Sequence, residues 1–382
     1  MNTQPINITT VGDISFRGRY ENATDRQVFA DVNNIFSGSN FVIGNLESPF
    51  TQPSATGLPG KCNLRGNPDW AVELKNSGID LVTLANNHMM DFGIDGLTTT
   101  LNALNEAGIL AVGAGMDIYA ACKPAICTIN DRHVAIFGRC SVEVSSPCYA
   151  THEQPGVAFL DLDELKLSIA KVRDEVDKII LLVHWGMEHY SYPTPQQRDT
   201  AASIISLGTD FIFGHHPHVV QGHEFVNGGL VSYSSGNFIF DDFTWNFKNP
   251  DGETIELDSV MTDQNREGLI LQVNINSDDD HEPKAFFTCI DANCRLTIDD
   301  NSSRHHHYRK LSKRLDLPFY NTLWFIYSLK REWDLRLRHM FSPIEIVKNI
   351  HKIRFRHIKT LFTAVRRSSK ISSGKSTNPY EG

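Results

Sequence analysis

Residues 179–224 hold six of the chain's 16 histidines, at His184, His189, His215, His216, His218 and His223. Four of them stand where short apolar runs stop. Residues 179–183 and 211–213 are aliphatic or aromatic, and residues 196–207 between them have helical composition, so the spacing predicts a strand, a helix and a parallel strand. Such a unit brings both strand ends to one edge, where α/β proteins place their ligands. That edge would carry His184 and the cluster His215, His216, His218. Imidazoles converging from two loops are the donors a borderline transition metal takes. A lone histidine in a polar loop is more often a satisfied structural group, but three or more at strand ends favour a metal. His189, His215 and His223 are expected to be structural or solvent-facing rather than ligands.

Other apolar runs stop the same way. Residues 6–11 end at Gly12-Asp13, residues 41–43 at Gly44-Asn45-Leu46-Glu47, and residues 79–84 at Ala85-Asn86-Asn87-His88. Five strand ends therefore carry donors. Mixed carboxylate, amide and imidazole ligands suit manganese, iron or zinc, whereas a structural zinc would use cysteines. Two such ions about 3.5–4 Å apart, bridged by a carboxylate, are the standard device for displacement at phosphorus. The seven cysteines are odd in number and form no C-x-x-C, which fits a reduced, cytoplasmic setting. No run reaches the roughly 18–20 apolar residues of a membrane span.

Helices are predicted over 25–36, 69–77, 96–107, 161–176 and 196–207, and further strands over 109–112, 124–129, 133–137 and 229–234. The acidic, turn-rich 242–263 is expected to be an irregular insertion. Residues 267–275 and 283–291 alternate like late antiparallel strands, with Asp278–Asp280 in the loop between them. Residues 301–304 read as a linker.

Charge divides the chain. From Arg304 onward there are 18 Lys and Arg against five Asp and Glu, net +13, which leaves 18 against 40, net −22, for the first 303 residues. Residues 310–367 are helical in pattern, broken at Pro318 and Pro343, with one aromatic cluster around Phe319, Trp324, Phe325 and Tyr327. Basic amphipathic helices suit an anionic membrane surface, and they equally suit the acidic body of the same protein. No nucleic acid is expected, because no reading motif accompanies the charge. Residues 368–382 are expected to be a disordered tail.

The segments VGDISFRGR, FVIGNLESPFT, LVTLANNHMMDFG, VHWGMEHY, GTDFIFGHHPHVVQGHE and YSSGNFIFD, in that order, resemble the CapA family of poly-γ-glutamate and capsule synthesis, part of the calcineurin-like metallophosphatase superfamily. The resemblance implies that residues 1–300 form a four-layer α/β/β/α metallophosphatase-like sandwich, while the charge and helical pattern place a basic helical C-terminal extension at 305–367. It implies Asp13, Glu47, Asn87, His184, His216 and His218 as metal ligands, with Glu47 as the bridging carboxylate, and His88 as the acid that protonates the leaving oxygen. Asn45 would stand behind the ligands or replace Glu47. The metallophosphatase D-x-H motif is here Asp13-Ile14-Ser15, so one histidine ligand is absent.

The expected function is metal-dependent hydrolysis of a phosphate ester, with one or two divalent ions, in making a capsule or another anionic surface polymer. The protein would be cytoplasmic and peripheral to the membrane through its basic helices. Two alternatives stand beside it: a non-catalytic polymer-binding accessory protein, and a γ-glutamyl peptide hydrolase using the same site. Arg17, Arg19 and Arg198 are candidate anion clamps outside this main set.

Overall fold

A computed structural model of the chain describes residues 6–23, 27–141, 148–248, 253–276, 282–291 and 293–334. Strand β1 (Asn7–Ile14) leads through two 3-10 turns and helix α1 (Asn33–Ser37) into β2 (Phe41–Leu46), α2 (Trp70–Ser77), β3 (Leu81–Thr83), α3 (Gly93–Ala107) and β4 (Leu110–Val112). There follow β5 (Ala114–Gly115), α4 (Ile118–Cys122), β6 (Ala125–Ile129), β7 (Arg132–Cys140) and β8 (Gly156–Val157). Next come α5 (Leu162–Val172), β9 (Lys178–His184), α6 (Pro195–Ser206), β10 (Phe211–His215), β11 (His223–Val226), β12 (Gly229–Ser232) and β13 (Asn237–Ile239). The chain continues with β14 (Phe243–Lys248), β15 (Thr254–Ser259), β16 (Glu267–Asn274), β17 (Lys284–Ile290), β18 (Leu296–Ile298), α7 (Ser302–Leu315) and α8 (Tyr320–Glu332).

Two mixed sheets result. The larger runs β18-β17-β16-β1-β2-β3-β4, with β13 beside the end of β1, and the smaller runs β11-β12-β10-β9-β7-β6. Strands β1 to β4 are mutually parallel, as are β7, β9, β10 and β12.

Side-chain alternation builds the layers. On β9, Ile180 and Leu182 face a core shared with Ile8, Ile43, Leu81 and Phe287 of the other sheet. Ile179, Leu181 and Val183 face the opposite way, onto Leu165 and Ile169 of α5 and Ala201 and Ile204 of α6. On β2, Ile43 points inward while Val42 packs with Trp70, Leu74, Leu97 and Leu104 of α2 and α3. Successive strand residues point to opposite faces, so each sheet is apolar on both sides and carries helices outside. The architecture is the expected α/β/β/α sandwich.

The predicted β9-α6-β10 unit is present, with His215 in register beside His184. A capping box between Thr194 and Gln197, with Pro195 in the first turn, fixes the start of α6.

Three expectations need correction. The segment 242–263 contains a β-hairpin, β14 paired with β15 from Phe243 opposite Ser259 to Lys248 opposite Thr254. The alternation of Phe243, Trp245 and Phe247 with polar residues was present in the sequence, but the acidic composition obscured it. Residues 301–304 are no linker: Asn301 caps α7 by accepting from Ser303 N and Arg304 N, and Arg304 pairs with Glu267 at 2.7 Å. Within the helix expected over 25–36, the described residues form a 3-10 turn (Gln27–Val32) before the short α1 rather than one continuous helix. The break between α7 and α8 falls at Pro318 as expected. Asp278–Asp280, Pro343 and the tail at 368–382 lie outside the described residues.

The aromatic cluster of the extension divides between two faces. Tyr320 and Trp324 are buried with Leu315 against the body, while Phe319 is 82% exposed and Leu323, Phe325, Ile326 and Leu329 are also exposed. Apolar packing of Leu315, Tyr320 and Trp324, together with the Arg304–Glu267 pair, seats these helices.

Candidate metal centre

The ends of β1, β2, β3, β9 and β10 meet at one edge of the sandwich. Glycines permit the approach: a Cβ on Gly12 would lie 2.0 Å from Gly236 O, and one on Gly214 would lie 2.0 Å from Tyr233 O. This accounts for the glycines preceding Asp13 and His215 in the sequence.

Asp13, Glu47 and His184 are fully buried, and His216, His218 and Asn87 nearly so. Ligand atoms of Glu47, His216 and His218 all lie within 4.8 Å of one another. Glu47 Oε1 is 3.8 Å from His184 Nε2 and 3.7 Å from His218 Nε2. His184 Nε2 is 2.8 Å from Asn87 Oδ1. Asp13 stands slightly behind, because Oδ1 accepts from Asn45 Nδ2 at 2.8 Å and Oδ2 accepts from His216 N at 3.2 Å. The fold thus gathers all six sequence-derived candidates, with Asn45 as the brace between Asp13 and His184, whose Nδ1 is 3.3 Å from Asn45 Nδ2.

Outer contacts fix which nitrogen of His218 faces inward. Nδ1 donates to Asn237 Oδ1 at 2.9 Å and lies 3.3 Å from Asp13 Oδ2, which leaves Nε2 toward Glu47. A second partner that fixes the ring in this way is the usual companion of a ligating histidine.

The electrostatics are unbalanced. Both oxygens of Glu47 are buried without a hydrogen-bond partner, as is Nδ1 of His216. Burial pushes the Glu47 carboxyl well above the usual carboxylate range, and the Asp13 charge adds to the effect. Burial also opposes the charged form of Asp13, but the hydrogen bond and charge of His218 outweigh it and hold that carboxyl below its ordinary value. For His218, burial is overcome by Glu47 and Asp13, and its pKa is pushed up to about 10. Burial drops His216 to about 4 and holds His184 well below its ordinary value. Leaving an unpaired charge inside a protein costs several kcal/mol. A divalent cation among these donors would relieve Glu47 and meet the neutral imidazoles of His184 and His216, so the residues fit such an ion.

His88 lies at the same edge, partly exposed, with Nδ1 2.8 Å from Asp91 Oδ2. Buried Asp91 also pairs with Lys61, which donates to the carbonyl of Asn87. Lys61 and Asn265, whose side chain donates to His218 O at 2.9 Å, were not foreseen, since neither falls in a strand-end pattern. Among the arginines considered as anion clamps, Arg19 is held by Asp241 and Arg198 by Glu224, while Arg17 pairs with Glu21. His215 donates from Nε2 to Val11 O, a structural role as expected. His223 contacts Tyr308 and Glu282, and is likewise structural.

Known proteins bear on this arrangement. The chain is 31% identical over 249 residues to the capsule biosynthesis protein CapA of Bacillus anthracis, covering 62% of this chain and 60% of that protein. It is 34% identical over 239 residues to the PGA biosynthesis protein CapA of Bacillus subtilis (strain 168), covering 60% and 62%. The match thus spans about three fifths of the length of these relatives. A solved structure of Haemophilus influenzae NAD nucleotidase is similar over 79% of this chain and 61% of that one, at 15% identity and a TM-score of 0.41. At that score the likeness adds nothing to what the strand order already establishes. The family described as bacterial capsule synthesis protein PGA_cap matches residues 7–242, more than half of the chain and every strand end of the site, and the chain belongs to that family.

Proposed function

We propose that this edge binds one or two divalent transition ions (manganese, iron or zinc) through Glu47, His216 and His218, with Asp13, Asn87 and His184 completing the set. With metal bound, the site hydrolyses a phosphate ester during synthesis of an anionic surface polymer of the poly-γ-glutamate or capsule kind. The observation that carries this reading is Glu47, whose two buried oxygens have no hydrogen-bond partner and whose Oε1 lies 3.8 Å from His184 Nε2 and 3.7 Å from His218 Nε2. The ion supplies electrophilic stabilisation of charge on the phosphoryl oxygens. The chain's own residues do the rest. Asn237 and Asn45 hold the rings of His218 and His184, and Asp91 fixes His88 by Nδ1 so that Nε2 is available to pass a proton to the leaving oxygen.

A second reading is a non-catalytic accessory role. Ser15 in place of a ligating histidine supports it, and so does a Mycobacterium tuberculosis relative, 30% identical over 208 residues, described as a probable polyglutamine synthesis accessory protein. A cytoplasmic position against an anionic membrane is part of the proposal, supported by the exposed row Phe319, Leu323, Phe325, Ile326 and Leu329 beside a net charge of +13 from Arg304 onward. Among the described residues no helix is long and apolar enough to cross a membrane.

The test is elemental analysis of the purified protein followed by assays on phosphate esters and γ-glutamyl peptides with added manganese. Bound metal with ester hydrolysis supports the first reading. Metal-loaded protein inert to both substrate classes refutes it in favour of the accessory role.

A further inference from the structure

The segment beyond residue 242 lies outside the family match, yet α8 reaches the wall of the site. The connection between β9 and α6 carries Glu188 and His189 at the rim, and α8 bonds that connection at five residues. Arg331 Nε donates to His189 O at 2.8 Å. Tyr327 OH accepts from Ser191 N at 2.7 Å, and Tyr320 OH donates to Pro193 O at 2.7 Å. Tyr190 OH donates to Glu332 at 2.7 Å, and Trp324 Nε1 donates to Tyr192 O at 3.4 Å. A helix packed only for burial has no need to satisfy backbone groups along one loop in this way.

That loop in turn holds the histidine cluster. His189 N donates to Pro217 O at 2.7 Å. Asn265 Nδ2 donates to His189 Nδ1 at 3.0 Å and to His218 O at 2.9 Å, while its own carbonyl accepts from Asn237 Nδ2 at 2.9 Å. The backbone held here is strained, with positive φ at His189 (64°), His216 (97°) and His218 (56°). Non-glycine residues keep such conformations only where their surroundings over-determine them.

We propose that α8 is the buttress of the site, with Arg331 and Tyr327 as positioning residues that hold residues 188–189 and, through them, the His216–His218 loop. The inference rests on the metal reading for its functional consequence, though not for its geometry. Residues outside the family match would then set how well the site holds its ion.

The test uses the full-length chain with Arg331→Ala, Arg331→Lys and Tyr327→Phe, and with Ile326→Ser on the exposed side of α8 as control. Backbone amide exchange is followed over residues 185–193 and 215–221, together with the melting temperature and manganese titration calorimetry. Arg331→Ala and Tyr327→Phe should speed exchange in both segments while the interior of β9 and β10 stays at the wild-type rate. Manganese affinity should fall about 10-fold, the lower end of what outer-shell partners of a metal site contribute. Arg331→Lys should restore part of it, and Ile326→Ser should match wild type throughout. Unchanged exchange over 215–221 overturns the proposal, as does a uniform rise across the whole chain, which would make α8 a general stabiliser. If wild type binds no manganese but the two segments still respond, the buttress stands and the metal reading falls.

Discussion

Glu47→Gln separates a metal site from an ordinary polar core by the sign of its effect. In the metal-free protein the substitution replaces a fully buried carboxyl, both of whose oxygens lack a partner, with a neutral group of the same shape. The ionised form of such a group costs several kcal/mol when unpaired, and burial accordingly holds its pKa high. What the variant loses is attraction to His218 across 3.7 Å, but Asp13 at 3.3 Å still neutralises that ring. The metal-free variant should therefore be at least as stable as wild type. Metal reverses the order. At a cation concentration 100 times Kd, wild type gains about 2.7 kcal/mol, which at about 2.1 cal/mol/K of unfolding entropy per residue is a rise of about 3–4 °C for a chain of 382 residues. Glu47→Gln should lose most of that rise. Melting curves in chelator and in manganese, for both proteins, give the four numbers. A metal-free variant that melts below wild type and keeps the full manganese shift would refute the reasoning, because Glu47 would then be a satisfied structural residue.

Positioned proton transfer contributes about 10²–10⁴-fold, so His88→Ala should cut ester turnover by that factor with metal content unchanged; equal turnover would remove His88 from the chemistry. His218, at about 10 when folded against about 6.5 unfolded, stabilises the metal-free fold fully below pH 6.5 and loses that contribution as pH rises through 10. Denaturant titrations should accordingly show metal-free stability falling between pH 7 and 10, with the slope flattened in His218→Asn. Phe325→Ser with Ile326→Ser, both exposed on α8, should reduce sedimentation with anionic liposomes at low salt while leaving the melting temperature near wild type. Failure of wild type to sediment would remove the membrane contact.

Much of the fold was legible because it is local. The β9-α6-β10 unit announced itself through apolar runs, the helical composition between them and the donors at their ends, each acting within a few residues. The hairpin of β14 and β15 was missed because its period of two was set against acidic side chains, and charge was given more weight than alternation. The start of α7 was missed because Asn301 reads as loop composition although it is also a helix cap. The extension's aromatic residues could be counted from the sequence, but their division between a buried and an exposed face depends on where α6 and the 185–193 connection lie.

The donors of the site were legible for the same reason: each one lies at a strand end or within four residues of it. Its supports were not, because Arg331 is 142 positions from His189 and Asn265 is 47 from His218, and no local period records such pairs. The structure marks the place in another way. Of the seven non-glycine residues with positive φ among the described residues, His189, His216 and His218 lie in one wall, and the orphaned carboxylate of Glu47 faces it. Strained backbone and a buried carboxyl without hydrogen-bond partners each weaken a fold, and a sequence selected only for stability would keep neither. Their coincidence at one sheet edge, with two networks of side chains spent on holding them there, is what a site that has a ligand to bind requires.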